Sequence, residues 1–325
     1  MRPTIARRAL LAATTVLSLA LGAGVAAAAP DSAAPALRPS VQTVEQALTC
    51  TGDLSTGPTP LLLLHGTTST SVANWSWNWD RYLDAQGWAH CDLQSPDNAT
   101  ADIQMNGEYV ARAIQIMFER AGRPISILGH SQGGMVARWA LAFWPETRAM
   151  VDDYVGFASS NHGSQHPVQD CHRTKKCSAA RWQQTGGSNF LTALNSQPET
   201  FAEVDYTVVA TELDEIVMPY TSAYLPSGSN VTNVAVQDLC PGRLVEHFGM
   251  AYDNTAFQLA VDAFTHDGPA QPHRVGGAGC ADMLMPGVDP ASFVPNSAMA
   301  LNESIQATLF APTLGGEPPL MPYAH

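Results

Sequence analysis

Short, continuous apolar runs alternate along this chain with longer stretches whose apolar positions recur every three or four residues. Leu61 to Leu64 is apolar throughout, as a strand covered on both faces must be. Ile125 to Leu128, Tyr154 to Ala158, Tyr206 to Ala210 and Val231 to Val236 read the same way, and Trp88 to Leu93 is a weaker strand candidate. Between them, residues 106–121 place Tyr109, Val110, Ala113, Ile114 and Met117 on one helical face, and Pro124 ends that pattern. Met135 to Phe143 continues as a helix up to Pro145. Strands alternating with helices predict an α/β fold, with a mostly parallel central sheet and helices on both faces. No internal repeat is visible. The long connections from Gly163 to Thr200 and from Cys240 to Cys280 are expected to build a small lid region and pocket walls.

The start of the chain has a different pattern. Arg2, Arg7 and Arg8 precede an apolar stretch from Ala9 to Ala23, and the small residues Ala26 to Ala29 stand before Pro30. This is the layout of a secretory signal peptide over residues 1–29. The competing reading, a membrane anchor, needs a longer apolar span. Residues 30–45, rich in Ala, Pro and Ser, are expected to form a flexible arm, and 46–325 a single catalytic domain.

Charge narrows the partners. The net charge is −13, and removing three Arg with the leader takes it to about −16. Nucleic acid and anionic membrane surfaces are therefore excluded as general partners. Nothing points to a protein partner, so a monomer is expected. Both lysines, Lys175 and Lys176, fall in one segment, Cys171 to Cys177. Six cysteines in an exported chain imply three disulfides, with 15 possible pairings. No C-x-x-C pair and no His/Cys cluster of zinc spacing is present, so no metal and no cofactor is expected.

Gly129-His130-Ser131-Gln132-Gly133 matches G-x-S-x-G. A buried strand candidate ends at Leu128 and a helix begins just after the Ser. That is the strand–turn–helix setting which exposes a nucleophilic Oγ on a tight turn. The N–H of Gln132, at the helix start, is one candidate donor to a developing oxyanion. The second comes from Leu64-His65-Gly66-Thr67-Thr68, where Thr67 offers both N–H and hydroxyl. A plain turn role for Thr67 is the competing reading.

In this fold the acid and then the base follow the Ser on later loops. Asp214 follows the strand candidate at 206–210, and His247 lies beyond the one at 231–236. Asp238 is the rival acid. His266, at the end of an amphipathic stretch, is the rival base, but a histidine there commonly complements a helix dipole.

These motifs resemble those of the α/β-hydrolase lipases. The likeness runs from Cys50 to the C-terminus and is carried by the Ser-Gln-Gly-Gly elbow, Trp182-Gln183-Gln184-Thr185, Thr211 to Val217, and Leu320-Met321-Pro322-Tyr323-Ala324. It implies an α/β-hydrolase fold, a Ser131–His247–Asp214 triad, an oxyanion hole from Thr67 and Gln132, and a pocket lined by Gln184, Ile216 and Val217. It also implies Cys50–Cys91 and Cys240–Cys280 pairs, which leaves Cys171 with Cys177. One departure stands out. The lipase it resembles has Trp before the nucleophile, where this chain has His130, which is read as a pocket wall or a structural side chain.

The function expected is hydrolysis of carboxylic esters, acylglycerols or similar, by a secreted enzyme through an acyl-enzyme. Polyester hydrolysis or acyl transfer would use the same triad. A non-catalytic binding module on the same fold is the remaining alternative.

Overall fold

Every strand candidate becomes a strand of one sheet. The structure is a computed structural model that describes residues 34–165 and 171–325. The leader assigned to 1–29 lies outside the described residues. The labelled elements, in chain order, begin with α1 (Val41–Ala47), β1 (Leu48–Thr51), β2 (Leu61–Leu64), α2 (Trp79–Gln86) and β3 (His90–Leu93). Then come α3 (Ile103–Ala121), β4 (Ile125–His130), α4 (Gln132–Phe143), β5 (Val151–Phe157), β6 (Asp205–Ala210) and β7 (Val231–Ala235). Two helices close the chain, α5 (Asn254–Thr265) and α6 (Phe293–Phe310). The sheet order is β1-β3-β2-β4-β5-β6-β7. Only β1 runs antiparallel, against β3. With seven strands and helical layers, this is an α/β-hydrolase fold.

β2 is apolar and buried throughout because both of its faces are covered. Leu62, Leu64, Ile127 and Val208 join α3 and α4 in one core. Leu61, Leu63, Leu128 and Val209 join α2 and α5 in the other. The alternation follows from successive side chains pointing to opposite faces. All twelve residues of α4 are buried. Its Trp139 stacks on Phe190 at 4.3 Å between ring centroids, nearly parallel. The α3 helix starts where Asp102 accepts from the Gln104 N–H at 3.0 Å and stops at Gly122, whose φ of 65° is left-handed.

The described part of the proposed arm, residues 34–45, is packed on the domain. The carbonyl of Pro35 accepts from Trp144 Nε1 at 2.8 Å. Arg38 donates from its backbone N and its Nε to the Glu108 carboxylate, at 2.8 and 2.7 Å. Glu108 is otherwise a buried charge, and burying one unpaired is costly. Composition alone predicts a flexible arm here, because it does not reveal that the domain supplies these partners. Ser40 then caps α1 by accepting from the Thr43 N–H.

The structure forms three disulfides: Cys50–Cys91, Cys171–Cys177 and Cys240–Cys280. No described helix is long and apolar enough to cross a membrane.

Candidate active site

The loops that follow the parallel strands at their C-terminal ends meet around one cavity of about 630 Å³. Ser131 stands between β4 and α4 with φ 56° and ψ −122°. A Cβ at Gly129 would collide with the backbone of Gly133 and Gly134, and one at Gly133 with the carbonyl of Leu64. Only glycine lets strand, turn and helix approach this closely. Ser131 is 6% exposed and lines the cavity.

The oxyanion candidates sit beside it. Thr67 Oγ1 accepts from Gln132 Nε2 and from Gln184 Nε2, each at 2.9 Å. A hydroxyl has two acceptor positions and one proton. Two amide donors fill the first, so the proton is left to donate. Neither the Thr67 nor the Gln132 backbone N–H meets a protein acceptor among the described residues. Gln132 opens α4, where the helix dipole favours negative charge. Gln184 therefore holds Thr67 as well as lining the cavity.

The loop of Thr67 is fixed by residues to which the sequence reading gave no role. His65 Nδ1 donates to the Gly66 carbonyl at 2.8 Å, and its Nε2 accepts from the Ser95 N–H at 3.0 Å. Burial pushes this histidine down to about 4, so it stays neutral and both contacts persist at working pH. Asn74 Oδ1 accepts from the Gly66 N–H at 3.3 Å.

Asp214 and His247 are in contact. His247 Nδ1 lies 3.0 and 2.9 Å from the two carboxylate oxygens of Asp214. Asp214 Oδ1 also accepts from the N–H groups of Ile216 and Val217, at 2.9 and 2.7 Å. Those bonds orient the carboxylate and place the Ile216 and Val217 side chains on the cavity wall. Glu215 accepts from the His247 N–H at 3.0 Å, and Thr211 Oγ1 donates to the Val245 carbonyl at 2.8 Å. The Asp214 and His247 loops are thus laced together. Ser131 and His247 both line the cavity, and no direct hydrogen bond joins them among the described residues. Such contacts often close only on substrate binding.

The rivals are elsewhere. Asp238 accepts from the Ala235 N–H at 2.9 Å, and His266 lies 3.0 Å from the Asp262 carbonyl at the end of α5. His130 is 3% exposed and lines the cavity. Its Nε2 is 3.0 Å from the His247 carbonyl oxygen, so it ties the elbow to the base loop. Burial, then the neighbouring His247, pushes it down to about 3, which leaves it neutral.

Burial alone would lower the pKa of His247. The Asp214 charge and hydrogen bond, helped by Glu215 and Glu246, outweigh it and raise the group above the ordinary 6.5. A general base works only when neutral. The acid limb of kcat/KM for a soluble ester is therefore expected to have its midpoint above 6.5, with activity lost as pH falls through it. A profile flat between about pH 4 and 9, with chemistry rate-limiting, would contradict this base.

The sequence reading assigned no element to α6, yet its Ala300, Leu301 and Ser304 line the last side of the cavity. Lys176 and Cys177 of the short disulfide loop, in the expected 163–200 connection, line it too. Leu314 pairs with Cys177 through the backbone, its N–H donating at 2.7 Å. Glu246, Phe248 and Tyr252, in the expected 240–280 connection, also line it.

A serine on a strained turn, an Asp–His pair and backbone N–H groups without a protein acceptor among the described residues thus meet around one cavity. The chain belongs to the class 2 lipase family, which matches residues 58–248, more than half its length. It is a carboxylic ester hydrolase of that class. It is 29% identical over 307 residues to lipase B of Pseudozyma antarctica, covering 91% of this chain and 88% of that protein. It superposes on the crystal structure of Aspergillus fumigatus lipase B with a TM-score of 0.83 and 28% identity, over 91% of this chain and 74% of that one. A Bacillus licheniformis lipase in its propeptide form shares the fold, with a TM-score of 0.51 and 17% identity, over 69% of this chain and 54% of that one.

Proposed function

We propose that this chain hydrolyses carboxylic esters of lipids, acylglycerols or similar, through an acyl-enzyme on Ser131. His247 takes the Ser131 proton as Oγ attacks the carbonyl, and returns it to the leaving alcohol. Asp214 keeps the His247 proton on Nδ1, so that Nε2 presents its lone pair. The Thr67 hydroxyl and N–H, with the Gln132 N–H, stabilise the oxyanion. Water then repeats the sequence on the acyl-enzyme. The observation that carries this reading is the closed Asp214–His247 pair on the cavity that also holds Ser131.

A lipid substrate is supported by α6. Val294, Leu301, Leu309 and Phe310 are each more than 60% exposed, and Leu301 reaches the cavity. Apolar surface of this kind beside a pocket suits an acyl chain or a lipid–water interface. The same reading takes residues 1–29 as an export signal, 46–325 as one catalytic domain, and the mature protein as a secreted monomer. Three disulfides fit an oxidising compartment. The test is a panel of p-nitrophenyl esters and emulsified triacylglycerols. Turnover of both is expected, without any added cofactor. Turnover of short soluble esters alone would remove the lipid substrate and leave the esterase.

A further inference from the structure

Away from that cavity, three side chains converge where α2 packs on β3. His90 and Asp92 stand two residues apart on β3, so both project to the face that carries α2. Asp80 comes from the first turn of α2. One nitrogen of His90 and one oxygen of each carboxylate lie within 4.8 Å of one another. His90 is 2% exposed and Asp92 7%.

Their hydrogen bonds leave this spot short of donors. His90 Nδ1 lies 3.0 Å from the Trp88 carbonyl oxygen, a contact that only a ring N–H can make. In the neutral ring, Nε2 then carries the lone pair. Nε2 is 3.9 Å from Asp80 Oδ1, too far for a hydrogen bond. Asp80 Oδ1 and Asp92 Oδ1 are buried, and neither meets a donor among the described residues. A proton shared by the two carboxyls would relieve their repulsion but leave His90 Nε2 unmatched. A single cation satisfies all three atoms.

We propose that Asp80, His90 and Asp92 hold a divalent cation of the zinc type at a structural site separate from the ester-hydrolysing centre. A histidine with its second nitrogen donating to a backbone carbonyl is the usual arrangement of a metal ligand. One imidazole and two carboxylates suit Zn²⁺ at about 2.0–2.2 Å, whereas Mg²⁺ and Ca²⁺ prefer oxygen alone. The ion would clamp α2 to β3, next to the Cys50–Cys91 bridge that joins β3 to the edge strand. None of the three residues lines the active-site cavity, so this ion would take no direct part in ester hydrolysis.

The test uses the whole protein, stripped with a chelator and then titrated with Zn²⁺, Mg²⁺ or Ca²⁺. Bound metal is read by mass spectrometry and Tm by calorimetry. The wild type is expected to bind one more equivalent of zinc than Asp92→Asn or His90→Gln. Its Tm should rise by about 5 °C at about a hundredfold excess over Kd, and the variants should show no such rise. Hydrolysis of a soluble ester well below Tm should change less than about twofold on stripping. Equal zinc uptake by wild type and Asp92→Asn would overturn the site in favour of a shared proton. An equal response to Ca²⁺ or Mg²⁺ would overturn the nitrogen-selected ion. If the variants fail to fold, a stripped wild type whose Tm ignores zinc overturns the proposal by itself.

Discussion

Ser131→Ala is expected to lower kcat for ester hydrolysis by about 10⁴-fold or more, with Tm almost unchanged. The loss follows from removing the oxygen proposed to carry the acyl group. The fold should tolerate the change because Ser131 caps no helix with its side chain. Alanine also bears the same Cβ, so the positive φ at this turn is no more strained than before. Residual activity within about tenfold of wild type, measured on protein free of host esterases, would remove Ser131 from the reaction.

Asp214→Asn should be almost as damaging, and for a reason visible in its partners. Asn can still accept from the Ile216 and Val217 N–H groups through Oδ1, so the loop holds. Its amide would then face His247 Nδ1 and draw the lone pair there. The proton moves to Nε2, and the ring can no longer accept from Ser131. A loss of about 10⁴ in kcat is expected, as for other triads with the wrong tautomer. His247→Ala should match it, because the three residues act as a unit. Asp238→Asn and His266→Ala, whose partners are local, should stay within about threefold of wild type. If either control is the more harmful of its pair, the acid or base lies on the other loop.

Much of this architecture is readable from the chain because burial on both faces leaves a simple trace. Leu61 to Leu64 is continuous and apolar, and its bounds match β2. β1 leaves no such trace: Thr49, Cys50 and Thr51 are exposed on the sheet edge, and pairing with β3 is a tertiary fact. Helix α6 escapes for the opposite reason. Apolar side chains point outward from it, so no one-sided pattern marks its length. Motif order places Ser131 directly after β4, and Asp214 and His247 on the loops that follow β6 and β7. It does not show that Gln184 and Gln132 share Thr67, or that Glu215 pins His247, because those contacts join loops far apart in sequence. The Asp80–His90–Asp92 cluster has the same character. A signal did exist, His-x-Asp on one face of a strand, but its third member lies on a helix ten residues before.

The central claim is that Ser131 is the atom carrier of an acyl-enzyme. A fluorophosphonate that reacts with activated serines tests it most directly, with the modified peptide identified by mass spectrometry. The account predicts one adduct per chain, on Ser131 within the Gly129–Gly133 peptide, together with complete loss of esterase activity and no labelling of His247→Ala on the same timescale. An unlabelled, active enzyme, or an adduct on any other serine that tracks the loss of activity, would contradict it.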